Sequence, residues 1–215
     1  MRKKPLYVVD FDDVLVNMSW KLAMLAYSDI CTPMEICDTL IQSDKKWVFE
    51  KFNQPEDRIM DFYGKGFYDD LPPTRFCEKL NDISDKNDIF VVSYIMENCN
   101  ADDKIKWLKK YLPKAKYQFI YCDSGIKKSD IINGMKLDYV AFADDRVSNL
   151  ADVMENTDAK GKMFYVPMYG CNSVEKIREK LIDKEKLIYP FYISDLYVSN
   201  YSILKKVDWK HLTTK

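Results

Sequence analysis

The chain has 215 residues, and 33 lysine and arginine residues nearly balance 34 aspartate and glutamate residues, for a formal net charge of −1. Hydrophobic residues make up 47% of the chain, which is enough to bury a core and excludes disorder of the whole chain. The balanced charge argues against a protein whose main task is to coat nucleic acid or an anionic membrane.

Cysteine and histidine usage limits the kinds of site that the chain can build. The six cysteines form no C-x-x-C pair, so a structural zinc site lacks its usual ligand spacing. We expect reduced, mostly buried thiols. His211, the only histidine, lies in a polar tail, which argues against serine–histidine or cysteine–histidine catalysis. The sequence has neither a bilayer-spanning apolar run nor a signal-peptide core, so we expect a cytoplasmic protein without membrane association.

Short apolar runs that alternate with helical patterns indicate the fold class. The predicted strands are Leu6–Phe11, Asp88–Tyr94, Tyr117–Tyr121, Tyr139–Ala143 and Met163–Val166. The predicted helices between them are Ala101–Leu112, Lys128–Met135 and Val147–Met154. Continuously apolar strands are typical of sheets covered on both faces. The alternation therefore predicts an α/β fold with a parallel sheet and right-handed crossovers.

Residues 18–73 interrupt this alternation. They lack a strong strand signal and carry Met, Trp and Phe at helical intervals, so we interpret them as a helical insertion after the first strand. The core domain then comprises residues 1–17 and 74–215. Its last part includes a predicted amphipathic helix over Ser173–Leu187.

An Asp-x-Asp pair at the end of the first predicted strand is the strongest local signal. Asp10 and Asp12 are two residues apart on an extended chain, so their side chains point to the same side. In open α/β sheets, ligands bind beyond the carboxyl ends of the strands. Crowded carboxylates repel each other unless a cation or a shared proton relieves them, and Mg²⁺ with phosphate is the economical solution. A solvated acidic turn is the alternative.

A second acidic pair, Asp144 and Asp145, ends another apolar strand. If that strand lies next to the first, four carboxylates converge at one edge of the sheet, which is costly without a metal. Capping of the following helix is the alternative role for either residue.

Two other predicted strand–helix connections carry groups that suit a phosphate. Ser93 supplies a hydroxyl donor at a strand end, and Lys127 and Lys128 stand at the predicted start of a helix. The positive end of a helix favours an anion there. Each signal alone is weak, because serines after strands and solvated lysine pairs are common.

The order Asp-x-Asp, Ser, Lys, Asp-Asp resembles the four motifs of the haloacid dehalogenase (HAD) superfamily of phosphohydrolases and phosphotransferases. The resemblance spans about residues 6–150. It implies a Rossmann-like three-layer core with a parallel sheet, a small helical cap inserted after the first strand, and Mg²⁺ as cofactor.

The resemblance also implies a role for each motif residue. Asp10 would be the nucleophile that forms an aspartyl-phosphate, and Asp12 would be the general acid and then the general base. Ser93 would bind the phosphoryl group, and Lys128, preferred to Lys127, would steady the nucleophile and the phosphate. The metal site would comprise Asp10, Asp12, Asp144 and, as a direct ligand, Asp145.

A narrower resemblance concerns the 5′(3′)-deoxyribonucleotidases. Gly66–Pro73 is similar to the segment that closes their helical cap, and Lys104–Tyr111 and Asp144–Arg146 resemble their later segments. Aromatic cap residues of that family enclose the nucleobase, which implies that Phe67 and Tyr68 bind substrate together with the phosphate-binding Ser93 and Lys128. Further aromatic candidates, by location alone, are Trp47, Phe49 and Phe52.

These observations predict an Mg²⁺-dependent phosphomonoester hydrolase, most simply a 5′-nucleotidase acting on (deoxy)nucleoside monophosphates. The expected partner is a small phosphate ester, without stable nucleic-acid binding, and a homodimer stays open. Tyr94-Ile95-Met96 stands where the deoxyribonucleotidases typically have a Ser-Pro step, which leaves the substrate open. One alternative is a HAD phosphatase acting on another ester, such as a nucleic-acid 3′-phosphate. A non-catalytic HAD-fold binding protein is another, and a phospho-accepting receiver module is disfavoured because its acidic pair comes early.

Overall fold

The structure is a computed structural model that describes much of the predicted core domain. The described residues are 3–18, 21, 66–96, 101–158, 161–166 and 187–188. The predicted cap over 18–73 lies mostly outside them, so its boundaries stay predictions. The helix predicted over Ser173–Leu187 also lies outside them, except that Leu187 belongs to a short strand. Also outside the described residues are Trp47, Phe49, Phe52 and His211.

One parallel sheet contains all the described strands. They are β1 (Leu6–Val9), β2 (Asp88–Ile95), β3 (Lys116–Tyr121), β4 (Ala141–Asp144), β5 (Lys162–Tyr165) and β6 (Leu187–Ile188). Their order across the sheet is β3-β2-β1-β4-β5-β6, and every neighbouring pair is parallel. The sheet confirms the predicted α/β class, and the two-residue strand β6 is an addition too short to show a pattern in the sequence.

The central strand β1 ends at Val9, two residues before its predicted end at Phe11. Its neighbours are in register there, because Val9 pairs with Val91 of β2 and with Ala143 of β4. The backbone N–H of Asp10 still donates to the carbonyl of Ala143 at 2.8 Å before the chain turns away. Asp10 therefore stands at the carboxyl edge of the sheet, between two parallel neighbours.

Four described helices connect the strands. They are α1 (Arg75–Ile83), α2 (Ala101–Tyr111), α3 (Lys128–Gly134) and α4 (Val147–Asn156). The last three agree with the predicted helices to within two residues at each end, whereas α1 was not predicted. Within the described ranges, no helix combines the length and the apolar character needed to cross a bilayer.

The start of α1 is tied to the chain that follows β1. The Thr74 hydroxyl accepts from the backbone N–H of Cys77, as an N-cap does, and donates to the carbonyl of Val14 at 2.7 Å. The Thr74 N–H donates to the carbonyl of Leu15 at 2.9 Å, and Val16 forms an antiparallel bridge with Pro73. Residues 16 and 73, which flank the predicted insertion, therefore lie next to each other.

Two hydrophobic clusters cover the two faces of the sheet. In β1, the fully buried Val9 belongs to the cluster that contains Trp107 of α2. The equally buried Val8 belongs to the cluster that contains Ile132 of α3 and Leu150 of α4. Full burial of an aliphatic or aromatic side chain stabilises the fold by about 1.5–3 kcal/mol. The helices α2 and α3 therefore approach the same sheet edge from opposite faces.

Candidate active site

A tight turn after β1 presents the Asp-x-Asp pair at the sheet edge. Phe11 and Leu15 are fully buried, and the Leu15 N–H donates to the Phe11 carbonyl at 2.9 Å. Asp13 has a φ of 58°, a left-handed conformation that aspartate tolerates better than most residues with a side chain. The Phe11 N–H donates to Oδ1 of Asp10 at 2.7 Å, which fixes the carboxylate of Asp10.

Lys128 lies between two of the predicted carboxylates. Its Nζ is 2.9 Å from Oδ1 of Asp10 and 2.7 Å from Oδ2 of Asp144, and all three side chains are buried. Burial alone would lower the pKa of Lys128, but the two carboxylates outweigh it and raise that pKa above its ordinary value. Lys127 is the N-cap residue of α3, and its exposed Nζ is 3.6 Å from Asp152. The structure therefore brings Lys128, and not Lys127, to the predicted nucleophile.

Both acidic pairs contribute to one group of carboxylates. Asp10, Asp144 and Asp145, here named the carboxylate cluster, have ligand oxygens within 4.8 Å of one another. Burial raises the pKa of Asp145 well above its usual range, and the nearby charges of Asp144, Asp13 and Asp10 raise it further. This crowding is what a divalent cation relieves, and carboxylate oxygens are the ligands that Mg²⁺ prefers. The donor set therefore fits Mg²⁺.

Hydrogen bonds orient Asp144 within the cluster. Its Oδ1 accepts from the Arg146 N–H at 2.8 Å, and Nδ2 of Asn149 lies 3.0 and 3.1 Å from its two oxygens. Burial raises the pKa of Asp144, while the neighbouring Lys128 counteracts part of that effect. Helix α4 thus supplies donors that hold a carboxylate of the preceding strand in place.

Asp12 belongs to a different set of contacts. It is not a member of the carboxylate cluster among the described residues; one of its oxygens forms an ion pair with Lys104, and the other accepts from the Tyr68 hydroxyl at 2.8 Å. Lys104 is 1% exposed, and its Nζ also donates to Oγ of Ser93 at 3.1 Å and to the carbonyl of Tyr94 at 2.8 Å. We name Asp12, Lys104, Ser93 and Tyr68 the Asp12 network.

The structure places the predicted substrate residues Phe67 and Tyr68 in the core. Phe67 is 5% exposed, and its carbonyl accepts from Nζ of Lys21 at 2.5 Å. Tyr68 is 1% exposed and packs edge-on against Phe11, with ring centroids 5.3 Å apart. Tyr68 thus meets the site through its hydroxyl rather than through an open ring face.

The sequence motifs assign no role to Lys104, Arg146 and Asn149, although Lys104 and Arg146 lie in segments that resemble the deoxyribonucleotidases. Lys104 shares the helical spacing i, i+3, i+4 with the buried Trp107 and Leu108, and this pattern was the available signal that it faces inward. Burial opposes the charge of Arg146, yet the carboxylates of the cluster raise its pKa. Asn149 carries no local signal, because its role depends on how α4 returns over β4.

Comparison with models of protein families gives a match over most of the chain. The model of the family described as 5′ nucleotidase, deoxy (pyrimidine), cytosolic type C protein matches residues 4–160. No curated protein sequence matches the chain.

Solved structures share the fold at low sequence identity. A protein assigned as a phosphatase from Clostridium difficile superposes with a TM-score of 0.54 and 11% identity, over 82% of this chain and 92% of that one. A protein assigned as a haloacid dehalogenase-like hydrolase from Burkholderia xenovorans LB400 has a TM-score of 0.50 and 11% identity, over 91% of this chain and 98% of that one. Both support the HAD-like core. Because the family match covers well over half of the residues, the chain belongs to this 5′-nucleotidase family and is a phosphatase of the haloacid dehalogenase superfamily.

Proposed function

We propose that the protein is a cytoplasmic, Mg²⁺-dependent 5′-nucleotidase that hydrolyses (deoxy)nucleoside monophosphates through an aspartyl-phosphate on Asp10. The observation that supports this most directly is the position of Asp10. Its carboxylate lies 2.9 Å from the buried Nζ of Lys128 and belongs to the carboxylate cluster at the edge of the sheet. A nucleophilic carboxylate needs these neighbours, because a phosphate dianion repels it until positive charge is at hand.

Mg²⁺ would be held by the carboxylate cluster. The resemblance also implies Asp12 as a ligand, but the contacts of its carboxylate with Lys104 and Tyr68 favour a separate role. When bound, Mg²⁺ supplies positive charge that favours the approach of two anions and stabilises charge on the phosphoryl oxygens. Lys128 contributes a second positive charge beside Asp10 and Asp144.

Asp10 carries the covalent step in this proposal. One of its oxygens attacks phosphorus while the bond between phosphorus and the leaving oxygen breaks in line. The hydrogen bond from the Phe11 N–H holds the Asp10 carboxylate in place, so the carboxylate does not have to reorient before it attacks. Water then attacks phosphorus, the bond between phosphorus and Asp10 breaks, and inorganic phosphate leaves.

Asp12 moves the protons. It gives its proton to the leaving alkoxide in the first step and takes one from the attacking water in the second. Ser93 and Lys104 lie beside it and supply polar groups that suit the phosphoryl oxygens. Lys104 would thus both bind the substrate phosphate and pair with Asp12.

Nucleoside monophosphates are the proposed substrates because of the family description and the resemblance of Gly66–Pro73. The predicted insertion over 18–73 would close over the sheet edge and exclude water. The balanced overall charge supports a small nucleotide rather than a long nucleic acid.

A substrate panel tests the proposal. Purified protein is assayed for phosphate release from deoxy- and ribonucleoside 5′-monophosphates, 3′-monophosphates and 3′-phosphorylated oligonucleotides, with Mg²⁺ and with chelator. We expect Mg²⁺-dependent release from the 5′-monophosphates, complete loss in Asp10→Asn and full activity in Asp85→Asn, whose side chain is 77% exposed. Faster hydrolysis of the oligonucleotides would replace the proposed substrate, and wild-type activity of Asp10→Asn would overturn the mechanism.

A further inference from the structure

Both oxygens of the Asp12 carboxylate have a fixed donor. The Tyr68 hydroxyl donates to Oδ1 at 2.8 Å, and the buried Lys104 ammonium pairs with Oδ2. The torsion that rotates an aspartate carboxylate has broad minima, so an unanchored carboxylate samples many orientations. With Lys104 as the only partner, the Asp12 carboxylate could still rotate about the contact between Lys104 and Oδ2. The second anchor on Oδ1 closes that freedom.

The Tyr68 ring holds its hydroxyl in a defined place. The ring is 1% exposed and packs edge-on between Phe11, at 5.3 Å, and Phe67, at 5.1 Å, with interplanar angles of 78° and 87°. The chain that carries it is also anchored, because the Leu71 N–H donates to the Tyr68 carbonyl and the Trp107 indole donates to the Leu71 carbonyl at 2.7 Å. The aromatic contacts and the backbone hydrogen bonds therefore hold the Tyr68 hydroxyl in place.

We propose that Tyr68 is a positioning residue that orients the Asp12 carboxylate toward the leaving group, rather than a platform for the nucleobase. This inference rests on the proposed function, since it assigns a task within the proton transfer by Asp12. An oriented acid raises the fraction of bound substrate in a reactive geometry. Its loss costs most where the leaving group depends on a proton.

The choice of leaving group separates positioning from packing. A nucleoside leaves as an alkoxide that needs protonation, whereas p-nitrophenolate is stable without a proton and needs little help from an acid. The value of kcat/KM reports the steps up to departure of the leaving group, so it isolates the acid role of Asp12. A packing defect would lower kcat/KM for both substrates equally.

The test uses Tyr68→Phe, which removes one hydroxyl and keeps the ring. The matched control is Tyr139→Phe, because Tyr139 is 3% exposed, belongs to the other hydrophobic cluster and has a hydroxyl 3.0 Å from Thr157. We expect Tyr68→Phe to lower kcat/KM for the best nucleoside monophosphate about tenfold through kcat, with KM within about twofold. For p-nitrophenyl phosphate we expect kcat/KM within about twofold of wild type, and Tyr139→Phe to preserve the wild-type ratio between substrates.

Each outcome decides a separate point. A wild-type protein without phosphatase activity contradicts the proposed function itself. An active wild type with equal losses on both substrates in Tyr68→Phe, or with no loss, overturns the positioning role. A rise in KM for nucleotides alone would instead make Tyr68 a nucleobase contact. Thermal unfolding of both variants is measured alongside. If Tyr68→Phe does not fold, Tyr68→His is tested instead, because it keeps a hydrogen-bond donor on a ring. For the inference to hold, Tyr68→His must retain the wild-type ratio of kcat/KM between the two substrates.

Discussion

The carboxylate cluster and the Asp12 network treat two aspartates of one short motif in different ways. Asp10 pairs with Lys128 from α3 and has two further carboxylates beside it. Asp12 pairs with Lys104 from α2 and accepts from the Tyr68 hydroxyl, while Lys104 also contacts the Ser93 hydroxyl. The two lysines come from opposite faces of the sheet, because α2 and α3 cover different faces. The two aspartates therefore have different sets of partners, in line with the separate roles proposed for them.

The largest expected effect comes from Lys128→Met. Removal of this buried cation leaves Asp10 and Asp144 without their shared counter-charge. We expect a loss of phosphatase activity of about 10³-fold and, in chelator, a decrease of about 3–5 kcal/mol in the free energy of unfolding. Activity assays and urea unfolding measure both. Lys127→Met is the control and should be close to wild type, since its side chain is 65% exposed; equal losses in both variants would contradict the placement of Lys128.

A smaller loss is expected for Lys104→Met, which breaks the Asp12 network and leaves the carboxylate cluster intact. Activity should fall about 10²-fold, because one positioned donor to the phosphate is lost. Lys106→Met serves as the comparison: its exposed side chain pairs with Asp69, and exposed pairs contribute little. Steady-state kinetics of the two variants show whether the loss of the buried Lys104 lowers activity more than the loss of the exposed Lys106. Indistinguishable kinetics would remove Lys104 from the site.

Mg²⁺ binding should depend on the carboxylate cluster and much less on the Asp12 network. At a concentration of about 100 times its dissociation constant, Mg²⁺ should stabilise the wild type by about 2.7 kcal/mol. Asp145→Asn should abolish this stabilisation, whereas Asp12→Asn should retain most of it, because its carboxylate contacts Lys104 and Tyr68. Thermal unfolding with and without Mg²⁺ measures the difference. Loss of the shift in Asp12→Asn would show that this side chain is a metal ligand, as the resemblance implies.

The smallest effect is expected for Asn149→Ala. Asn149 donates to the Asp144 carboxylate and does not itself belong to the cluster. Its removal should weaken Mg²⁺ binding about tenfold, the low end of what partners of metal ligands contribute. Calorimetric titration checks this against Asn156→Ala, since Asn156 is an exposed residue of the same helix with contacts to Asp152. An unchanged affinity would show that Asp144 is held without it.

Much of the fold was readable because the inner strands β1, β2 and β4 are largely buried, although the edge strand β3 is mostly exposed. Five of the six described strands appear in the sequence as apolar runs, and α2, α3 and α4 as helical spacing. Helix α1 was not predicted; it begins at Arg75, just past the predicted insertion, with Thr74 as its N-cap after the Pro72-Pro73 pair. The strand β6 has two residues and depends on pairing with β5, which no local pattern encodes.

The site was readable where its groups stand at strand ends. Asp10 follows β1 and Asp144 ends β4, whereas Ser93 lies within β2, two residues before its end, so the parallel sheet brings all three to one edge. Lys104 was harder to identify because α2 carries several lysines, and only its packing against the sheet decides which one is buried. The Tyr68 contact with Asp12 joins residues 56 positions apart, and it depends on how the chain returns from the insertion.

A loop in the chain is closed by two contacts. They are the hydrogen bond from the Thr74 hydroxyl to the Val14 carbonyl and the antiparallel β-bridge between Val16 and Pro73. The points at which the chain leaves the core and returns to it therefore lie side by side, a few residues from Asp12. The part of the insertion before Gly66 can therefore change in length or sequence without displacing the end of β1, whereas Tyr68 also lies in this loop and must keep its contact with Asp12. A graft from a relative would test such interchangeability, with the same sheet serving a new choice of ester.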